Sequence, residues 1–412
     1  MKQLLFFFLM MNLFLSTKAQ TDNKIIIGRI DSIQSAILNE KRKIWIYVPG
    51  DGALDIYAKK HYPVVYLLDG DGHFSSVVGM IQQLSTVNGN MICPEMIVVA
   101  IPNTDRTRDL TPTHIDVDPP YMDSASSKTS GGGEKFISFI EKELMPYIEG
   151  NYPTEPYKML IGHSFGGLTV MQTFVHHTNL FNSYICIDPS MWWDKQTLLK
   201  ESKLVLKDKN FQGTSLFLGI ANTMPDGMNI NKVINDTTSD TRHIRSILKL
   251  KSYFEQSKQN GLKFNSKYYN DDSHGSVPLI TEYDALHFIF NFYPLKLSQK
   301  DFTDTTTALL DKFVKHFSTI SKKMGYKVKL PEDQINGMAY EALGNKHFKK
   351  AERFFKYNIE TYPESFNVYD SMGDYYEAIG DKPNTIKYYE KALSIKENPD
   401  TRKKLKILQE KK

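Results

Sequence analysis

The six residues at positions 162–167, Gly-His-Ser-Phe-Gly-Gly, constrain the fold of this chain more than any other feature. They contain the pattern G-x-S-x-G, in which the serine lies on a sharp turn between a strand and a helix. The flanks fit that arrangement, because 158–161 is an apolar run typical of a strand and 168–176 has helical spacing. Glycines before and after the serine allow the two segments to approach without Cβ clashes. The motif therefore predicts that Ser164 is exposed at the carboxyl end of a buried strand.

Short apolar runs alternate with helical patterns through much of the chain. The strand-like runs are 44–48, 64–68, 96–101, 159–161, 184–187, 216–220 and 263–269. Helical spacing lies between several of them, as at 134–148 and 168–176. Buried strands that alternate with helices indicate a mostly parallel sheet with helices on both faces. We assign this α/β unit to residues 20–298.

A serine at the end of a strand becomes a nucleophile only with a base beside it. In strand-turn-helix sites of this kind, the chain order is serine, then acid, then histidine. His274 follows the strand-like run 263–269 within a polar loop, which is where such a base is expected. We predict Ser164 as the nucleophile and His274 as the general base.

The acid of the predicted triad is less well specified by the sequence. It is expected after the run 216–220, where Asn222 occupies an early loop position. We prefer Asp226, with Asp236 and Asp240 as alternatives, because an acid there would orient the imidazole and stabilise the imidazolium. A Ser–His dyad without an acid also stays open.

Two backbone N–H groups are needed to stabilise the oxyanion of such a reaction. One is expected from Phe165, directly after the nucleophile. The other is expected from Gly70 or Asp71, in the loop after the run 64–68. The carboxylates of that loop have no partner at metal-ligand spacing, so we expect neither a metal nor a cofactor.

Composition limits the class of partner. Among 412 residues, 51 Lys and Arg against 47 Asp and Glu give a formal charge of +4, which is too weak a field to indicate nucleic acid. Residues 1–19 have the charged start, apolar run and small residues of a cleaved secretory signal, with a retained anchor as the alternative. No later stretch predicts a transmembrane span, so the location is expected to be secreted or periplasmic. We predict that Cys93 and Cys186 are buried thiols rather than a disulfide.

The C-terminal part of the chain contains an internal repeat. Met338 and Met372 are 34 residues apart, as are Phe355 and Tyr389, and small residues recur at matching positions. A period of 34 with small residues at helix crossings is typical of tetratricopeptide helix pairs. We therefore predict a linking helix in 299–330 and an all-α repeat tail in 331–412. A generic helical tail and a peptide-binding tail are the two other interpretations.

Three segments together resemble one enzyme family. They are Tyr-Leu-Leu-Asp-Gly at 66–70, the Ser164 motif, and Asp-Pro-Ser-Met-Trp-Trp at 188–193. In these three segments the chain is similar to the esterase D-like α/β hydrolases, in the branch that includes enterobactin-type siderophore esterases. The resemblance implies the α/β-hydrolase fold, with Ser164 as nucleophile, His274 as base and the Gly70-Asp71 loop as the oxyanion region. Asn222 departs from the pattern, because relatives often carry Glu near this position.

The resemblance also implies a class of substrate. Members hydrolyse siderophore, feruloyl, acetyl or simple acyl esters, and some related proteins transfer acyl groups. Trp192 and Trp193 are expected either to form a wall for an aromatic acyl group or to lie in the core. His163 and Arg108 are further candidate contacts, with a structural role and pairing with Asp109 as their respective alternatives. We predict a secreted serine carboxylesterase acting on a small-molecule ester, with an acyltransferase or a partner-binding protein as the alternatives.

Overall fold

A computed structural model describes residues 24–50, 56–118, 120–257 and 260–410 of the chain. The predicted signal peptide at 1–19 lies outside the described residues. Within them, eight strands form one sheet in the order β1-β2-β4-β3-β5-β6-β7-β8. The strands are β1 Arg29–Ser35, β2 Glu40–Tyr47, β3 Tyr62–Leu68, β4 Ile97–Ile101, β5 Thr154–His163, β6 Ser183–Ile187, β7 Ser215–Ala221 and β8 Lys263–Tyr269.

Strand β2 runs opposite to the other seven strands of this sheet. It pairs antiparallel with β1 and with β4, whereas β4, β3, β5, β6, β7 and β8 pair in parallel. The carboxyl ends of the parallel strands therefore meet at one edge, where ligands of open α/β sheets bind. The predicted mostly parallel sheet is confirmed.

Helices cover the sheet and form the C-terminal region. Those of the α/β unit are α1 Gly70–Ser85, α2 Arg106–Leu110, α3 Ser124–Ser127, α4 Gly133–Phe139, a π-helical turn Ile140–Leu144, α5 Met145–Asn151, α6 Phe165–His176, α7 Trp193–Asp208, α8 Ile230–Val233, α9 Arg242–Gln256 and α10 Val277–Ile289. Those that follow are α11 Gln299–Thr303, α12 Ala308–Met324, α13 Glu332–Gly344, α14 Phe348–Thr361, α15 Phe366–Ala378, α16 Lys382–Ile395 and α17 Pro399–Glu410.

The sheet is buried on both faces. All residues of β3, β4 and β6 are buried. Along β3, Tyr66 and Leu68 pack into one apolar cluster, and Val65 and Leu67 pack into a second cluster on the other face. This two-sided burial is the reason that parallel strands appear as continuous apolar runs in the sequence. It also fixes the register, because a shift of one residue would exchange the two faces.

The C-terminal helices repeat at a fixed interval. Helix α15 begins 34 residues after α13, and α16 begins 34 residues after α14, so the helix boundaries follow the period of the sequence. Gly373 of α15 packs so closely on Tyr389 of α16 that a Cβ would lie 2.4 Å from the ring. An all-helical C-terminal region is therefore confirmed, and its assignment to the tetratricopeptide class stays a prediction.

The C-terminal region shares an apolar core with the α/β unit. Leu310 and Phe317 of α12 and Met372 of α15 belong to the same buried cluster as Val65 of β3 and Phe290 after α10. Burial of this kind stabilises association of the two parts. A peptide partner for the tail stays a prediction.

Two further expectations concern cysteines and membranes. Cys93 and Cys186 are both free and buried, which confirms the prediction of two thiols. Within the described ranges, no helix combines the length and the apolar character that a bilayer crossing requires.

Candidate active site

Ser164 lies on a strained turn between β5 and α6. Its backbone angles are φ 59° and ψ −112°, which side-chain-bearing residues rarely adopt. The turn is tight, because a Cβ on Gly162 would lie 2.4 Å from the carbonyl oxygen of Gly166. The structure thus has the strand-turn-helix arrangement predicted from the motif, with Ser164 at the carboxyl end of β5.

The segment after β6 holds the backbone of Ser164 on both sides. The Ser164 N–H donates to the carbonyl of Ile187 at 3.0 Å, and the Ser190 N–H donates to the carbonyl of Ser164 at 3.1 Å. The Ser164 hydroxyl lies 3.4 Å from the hydroxyl of Ser190. Asp188 is part of this segment, so the same backbone contacts fix the serine relative to the carboxylate.

The carboxylate that contacts His274 belongs to Asp188. The His274 Nδ1 and Asp188 Oδ2 atoms are 2.6 Å apart. His274 lies in the loop after β8, and its ring centroid is 4.5 Å from that of His163, the residue before the nucleophile. Ser164, His274 and Asp188 therefore meet at the carboxyl edge of the sheet, although no hydrogen bond joins Ser164 to His274 among the described residues. Catalytic hydrogen bonds are often long in the absence of substrate.

This geometry corrects the predicted acid. Asp226 is exposed in a turn, and no hydrogen bond connects it to His274 within the described part of the chain. Asp236 accepts hydrogen bonds from Thr238 and Thr241, and Asp240 is exposed. Among the described contacts, none joins any of these three carboxylates to His274, whose Nδ1 is instead paired with Asp188.

Asp188 is a buried, ionised group. Its side chain is fully buried, and its Oδ1 atom accepts the N–H of Ala221 at 2.9 Å. Burial alone would raise the pKa of this carboxyl, but hydrogen bonds from His243 and His274 outweigh it and hold the pKa well below its usual range. The carboxylate therefore keeps its charge and can stabilise an imidazolium on His274.

Asn222 positions the loop that carries the base. Its backbone N–H donates to the carbonyl of Asp272 at 2.8 Å, and its side-chain amide donates to the carbonyl of Asn270 at 2.9 Å. The family resemblance predicts a glutamate near this position. Here the amide of Asn222 instead links the loop after β7 to the loop that carries His274.

Two helices begin beside the nucleophile. Helix α6 begins at Phe165 and α1 begins at Gly70, at the ends of the neighbouring strands β5 and β3. The first N–H groups of a helix have no partner within it and carry a partial positive charge. The N–H groups of Phe165, Gly70 and Asp71 all belong to such first turns, and their role in binding an oxyanion stays a prediction.

Asp69, which precedes α1, braces this region. It has a left-handed backbone conformation with φ 51°, and its carboxylate accepts two hydrogen bonds from Arg106, at 2.6 and 3.0 Å. Arg106 also donates to the carbonyl of His163 at 3.3 Å. The guanidinium thus links the α1 loop to the strand that carries the nucleophile.

The two tryptophans have different surroundings. Trp193 is buried, and its indole N–H donates to the carbonyl of Thr113 at 3.1 Å, so it belongs to the core. Trp192 stacks on Tyr121 with ring centroids 4.8 Å apart, and the guanidinium of Arg242 lies 5.3 Å from its ring. The ring centroids of Phe165 and Trp192 are 6.3 Å apart. Trp192 is buried as well, so it forms the base of an aromatic wall next to the Ser164 turn, and the partly exposed rings of that wall are Tyr121 and Phe165.

His163 and Arg108 are placed differently from each other. The His163 ring lies between those of His73 and His274, and burial lowers its pKa to about 4, so it is neutral near pH 7. Arg108 instead forms ion pairs with Glu40 at 2.8 Å and Asp109 at 2.7 Å. Because these carboxylates occupy its guanidinium, the structure corrects the prediction that Arg108 binds substrate, in favour of internal pairing.

Asp188, His243 and His274 also form a possible metal-binding group. Their ligand atoms lie within 4.8 Å of one another. However, the two nitrogens are 2.6 and 2.9 Å from the same carboxylate oxygen. Those are hydrogen-bond separations, shorter than the roughly 3.3 Å between two ligands of a tetrahedral zinc ion.

The mostly parallel sheet and the strained serine between β5 and α6 define an α/β hydrolase. Residues 35–276 match a family model described as "Putative esterase". The match spans more than half of the chain, so the chain belongs to this family.

Known relatives and a solved structure are similar to this chain. Ferri-bacillibactin esterase BesA of Bacillus subtilis is 31% identical over 217 residues, which cover 49% of this chain and 73% of that protein. Siderophore enterobactin esterase of Emericella nidulans is 28% identical over 150 residues, covering 34% of this chain and 50% of the relative. The crystal structure of an IroE-like serine hydrolase from Shewanella oneidensis superposes with a TM-score of 0.66 at 28% identity, covering 81% of this chain and 99% of that one.

Proposed function

We propose that this protein is an exported serine esterase that hydrolyses siderophore esters through an acyl-enzyme. The observation that carries the proposal is the contact of the buried Asp188 with His274, 2.6 Å apart, beside the Ser164 turn. A serine on this turn, a histidine and an ionised carboxylate are the parts of a catalytic triad.

In the proposed mechanism, Ser164 Oγ attacks the ester carbonyl carbon and passes its proton to His274 Nε2. Asp188 accepts the Nδ1–H of His274 and stabilises the imidazolium. N–H groups of the first turns of α6 and α1 donate to the oxyanion. The C–O bond to the alcohol then breaks, and His274 returns the proton to that alcohol. Water, with His274 again as base, hydrolyses the acyl-enzyme and releases the acid.

The Ser164 hydroxyl has to turn before it can attack. It lies 3.4 Å from the Ser190 hydroxyl in the free enzyme, and in the proposed reaction it turns to donate to His274. Rotation about one side-chain bond moves the oxygen between staggered positions without moving the backbone. The backbone bonds to Ile187 and Ser190 hold the serine while it rotates.

The relatives and the aromatic wall support a siderophore ester as substrate. BesA is named as a ferri-bacillibactin esterase, and the Emericella enzyme as a siderophore enterobactin esterase. The partly exposed rings of Phe165 and Tyr121, which pack on the buried Trp192, supply apolar surface near the nucleophile, which suits an aromatic acyl group. The charged start, apolar run and small residues of 1–19 support export.

The proposal is tested with Ser164→Ala in the full-length protein. The wild type is expected to react with a fluorophosphonate probe and to hydrolyse p-nitrophenyl esters, and the variant is expected to do neither while keeping its circular dichroism spectrum. A panel of catecholate trilactones, feruloyl and acetyl sugars and short acyl esters then identifies the substrate. Unchanged turnover in Ser164→Ala would contradict the serine mechanism, and products esterified to an added alcohol would indicate acyl transfer instead of hydrolysis.

A further inference from the structure

Asp188 accepts hydrogen bonds from two histidines on one oxygen atom. His274 Nδ1 lies 2.6 Å from Asp188 Oδ2, and His243 Nε2 lies 2.9 Å from the same oxygen. The rings of the two histidines meet edge to face, with centroids 5.2 Å apart. His243 is 7% exposed, so this second contact is buried along with the carboxylate. The proposed reaction needs His274 but does not itself require a second histidine.

The chain fixes His243 firmly in this position. It lies in the first turn of α9, where the helix dipole favours a negative charge such as that of Asp188. The preceding residue, Arg242, forms an ion pair with Asp118 at 3.0 Å and lies over the rings of Tyr121 and Trp192. The start of α9 is thereby held to the aromatic wall while His243 points at the carboxylate.

We propose that His243 is a positioning residue of this esterase, which holds Asp188 oriented toward Nδ1 of His274 and so keeps the His274 ring in place as a general base. The inference rests on the proposed Ser164–His274 function. A carboxylate fixed by Ala221 N–H, His243 and His274 has its oxygens directed by three donors. Loss of one donor leaves it freer to rotate and less well stabilised as an anion.

The test compares His243→Leu with His243→Gln in the full-length enzyme. Leucine removes the donor, whereas glutamine keeps an N–H donor at about the distance of Nε2. We expect kcat/KM for a p-nitrophenyl ester to fall about tenfold in His243→Leu, through a lower kcat at little-changed KM. The loss should be largely reversed in His243→Gln. His176→Leu, which removes an exposed histidine paired with Glu201, serves as the matched control and should behave as wild type.

The outcomes separate this inference from the proposed function. If Ser164→Ala is inactive but kcat of His243→Leu equals that of wild type, His243 does not position the acid and the inference is wrong. A glutamine variant as impaired as the leucine variant would also overturn it, because a donor at this position would then not suffice. Retained activity in Ser164→Ala would instead contradict the proposed function itself. Complete labelling of Ser164 by a fluorophosphonate at long times verifies that the site of each His243 variant is folded.

Discussion

Asp188 Oδ2 and His274 Nδ1 lie 2.6 Å apart, although 86 positions separate the two residues in the sequence. The sheet order brings them together, because β6 and β8 are parallel strands separated only by β7, and both residues follow the carboxyl ends of their strands. The contact is buried on the aspartate side and partly open on the histidine side, with 41% of the His274 side chain exposed. That asymmetry leaves the other ring nitrogen of His274, Nε2, available to Ser164 when substrate is bound.

Replacement of this aspartate is the direct test of the acid. In Asp188→Asn, the amide can donate to His274 Nδ1 and so favour the tautomer that carries its proton on Nε2, which cannot act as a base. We expect kcat for p-nitrophenyl ester hydrolysis to fall by about 10³- to 10⁴-fold. Asp226→Asn is the matched control, because Asp226 is exposed, and its kcat should stay within about twofold of wild type. Equal losses in the two variants would contradict the assignment of Asp188.

The strained backbone of Ser164 predicts a gain in stability when the side chain is removed entirely. Glycine adopts φ 59°, ψ −112° without the cost that a Cβ brings, so Ser164→Gly should have a free energy of unfolding about 1–2 kcal/mol above that of Ser164→Ala. Urea denaturation followed by circular dichroism measures the difference. At Ser252, inside α9, the order should reverse, because the free energy of unfolding of Ser252→Gly should be about 1 kcal/mol below that of Ser252→Ala. The same order at both positions would argue against strain at the nucleophile.

Periodicity in the sequence predicts most of this fold, and the exceptions have a physical reason. The central strands are buried on both faces, so their apolar runs are continuous and easily recognised; the run 64–68 lies within β3. Strand β1 is different, because Arg29–Ser35 lies at the edge of the sheet and is largely polar and partly exposed. It has no apolar run to reveal it, and only its pairing with β2 makes it a strand.

The site is predictable where its chemistry is local. Ser164 is specified by glycines within two residues of it, and His274 by its place after the last strand. The acid depends on which loop reaches His274 across the edge of the sheet, and chain order alone does not determine this. Asp188 directly follows β6, the strand next to β5, within the motif that contains Trp192 and Trp193. Its place at the end of that strand is the sequence signal that could have identified it as the acid. The role of His243 as a second donor has no local signal.

A buried glutamate on α10 predicts an unusual pH dependence of stability. Glu282 is 2% exposed, its Oε2 atom has no hydrogen-bond partner within the described part of the chain, and burial raises its pKa from an ordinary value of 4.5 to about 8. The folded state therefore keeps a proton that the unfolded state loses above about pH 4.5, and stability falls as the pH rises from there through 8. The free energy of unfolding of Glu282→Gln should match that of wild type at pH 5. Between pH 5 and pH 8 it should exceed the wild-type value by a growing margin, which increases by at most about 1.4 kcal/mol per pH unit.

Chemical denaturation at a series of pH values measures this difference between Glu282→Gln and wild type. Glu255→Gln is the control, because Glu255 is an exposed residue of α9 paired with Lys251, and its effect should vary little with pH. A constant difference between Glu282→Gln and wild type from pH 5 to 8 would show that Glu282 is ionised throughout that range.

Close helix packing in the C-terminal region predicts opposite effects of the same substitution at two glycines. In Gly373→Ala, the new Cβ would lie 2.4 Å from the ring of Tyr389, a ring that is held by hydrogen bonds to Asp374 and Glu377 and cannot easily move. Overpacking of this kind typically costs about 1–3 kcal/mol, so the free energy of unfolding should fall. Gly337 lies inside α13, where a Cβ would meet no described atom within 4 Å, and Gly337→Ala should stabilise the protein by up to about 1 kcal/mol. Because α12 and α15 share a buried cluster with β3, the loss in Gly373→Ala should also lower the temperature at which esterase activity is lost. A variant with a loosened tail and unchanged thermal inactivation would show that the α/β unit is stable without the shared core.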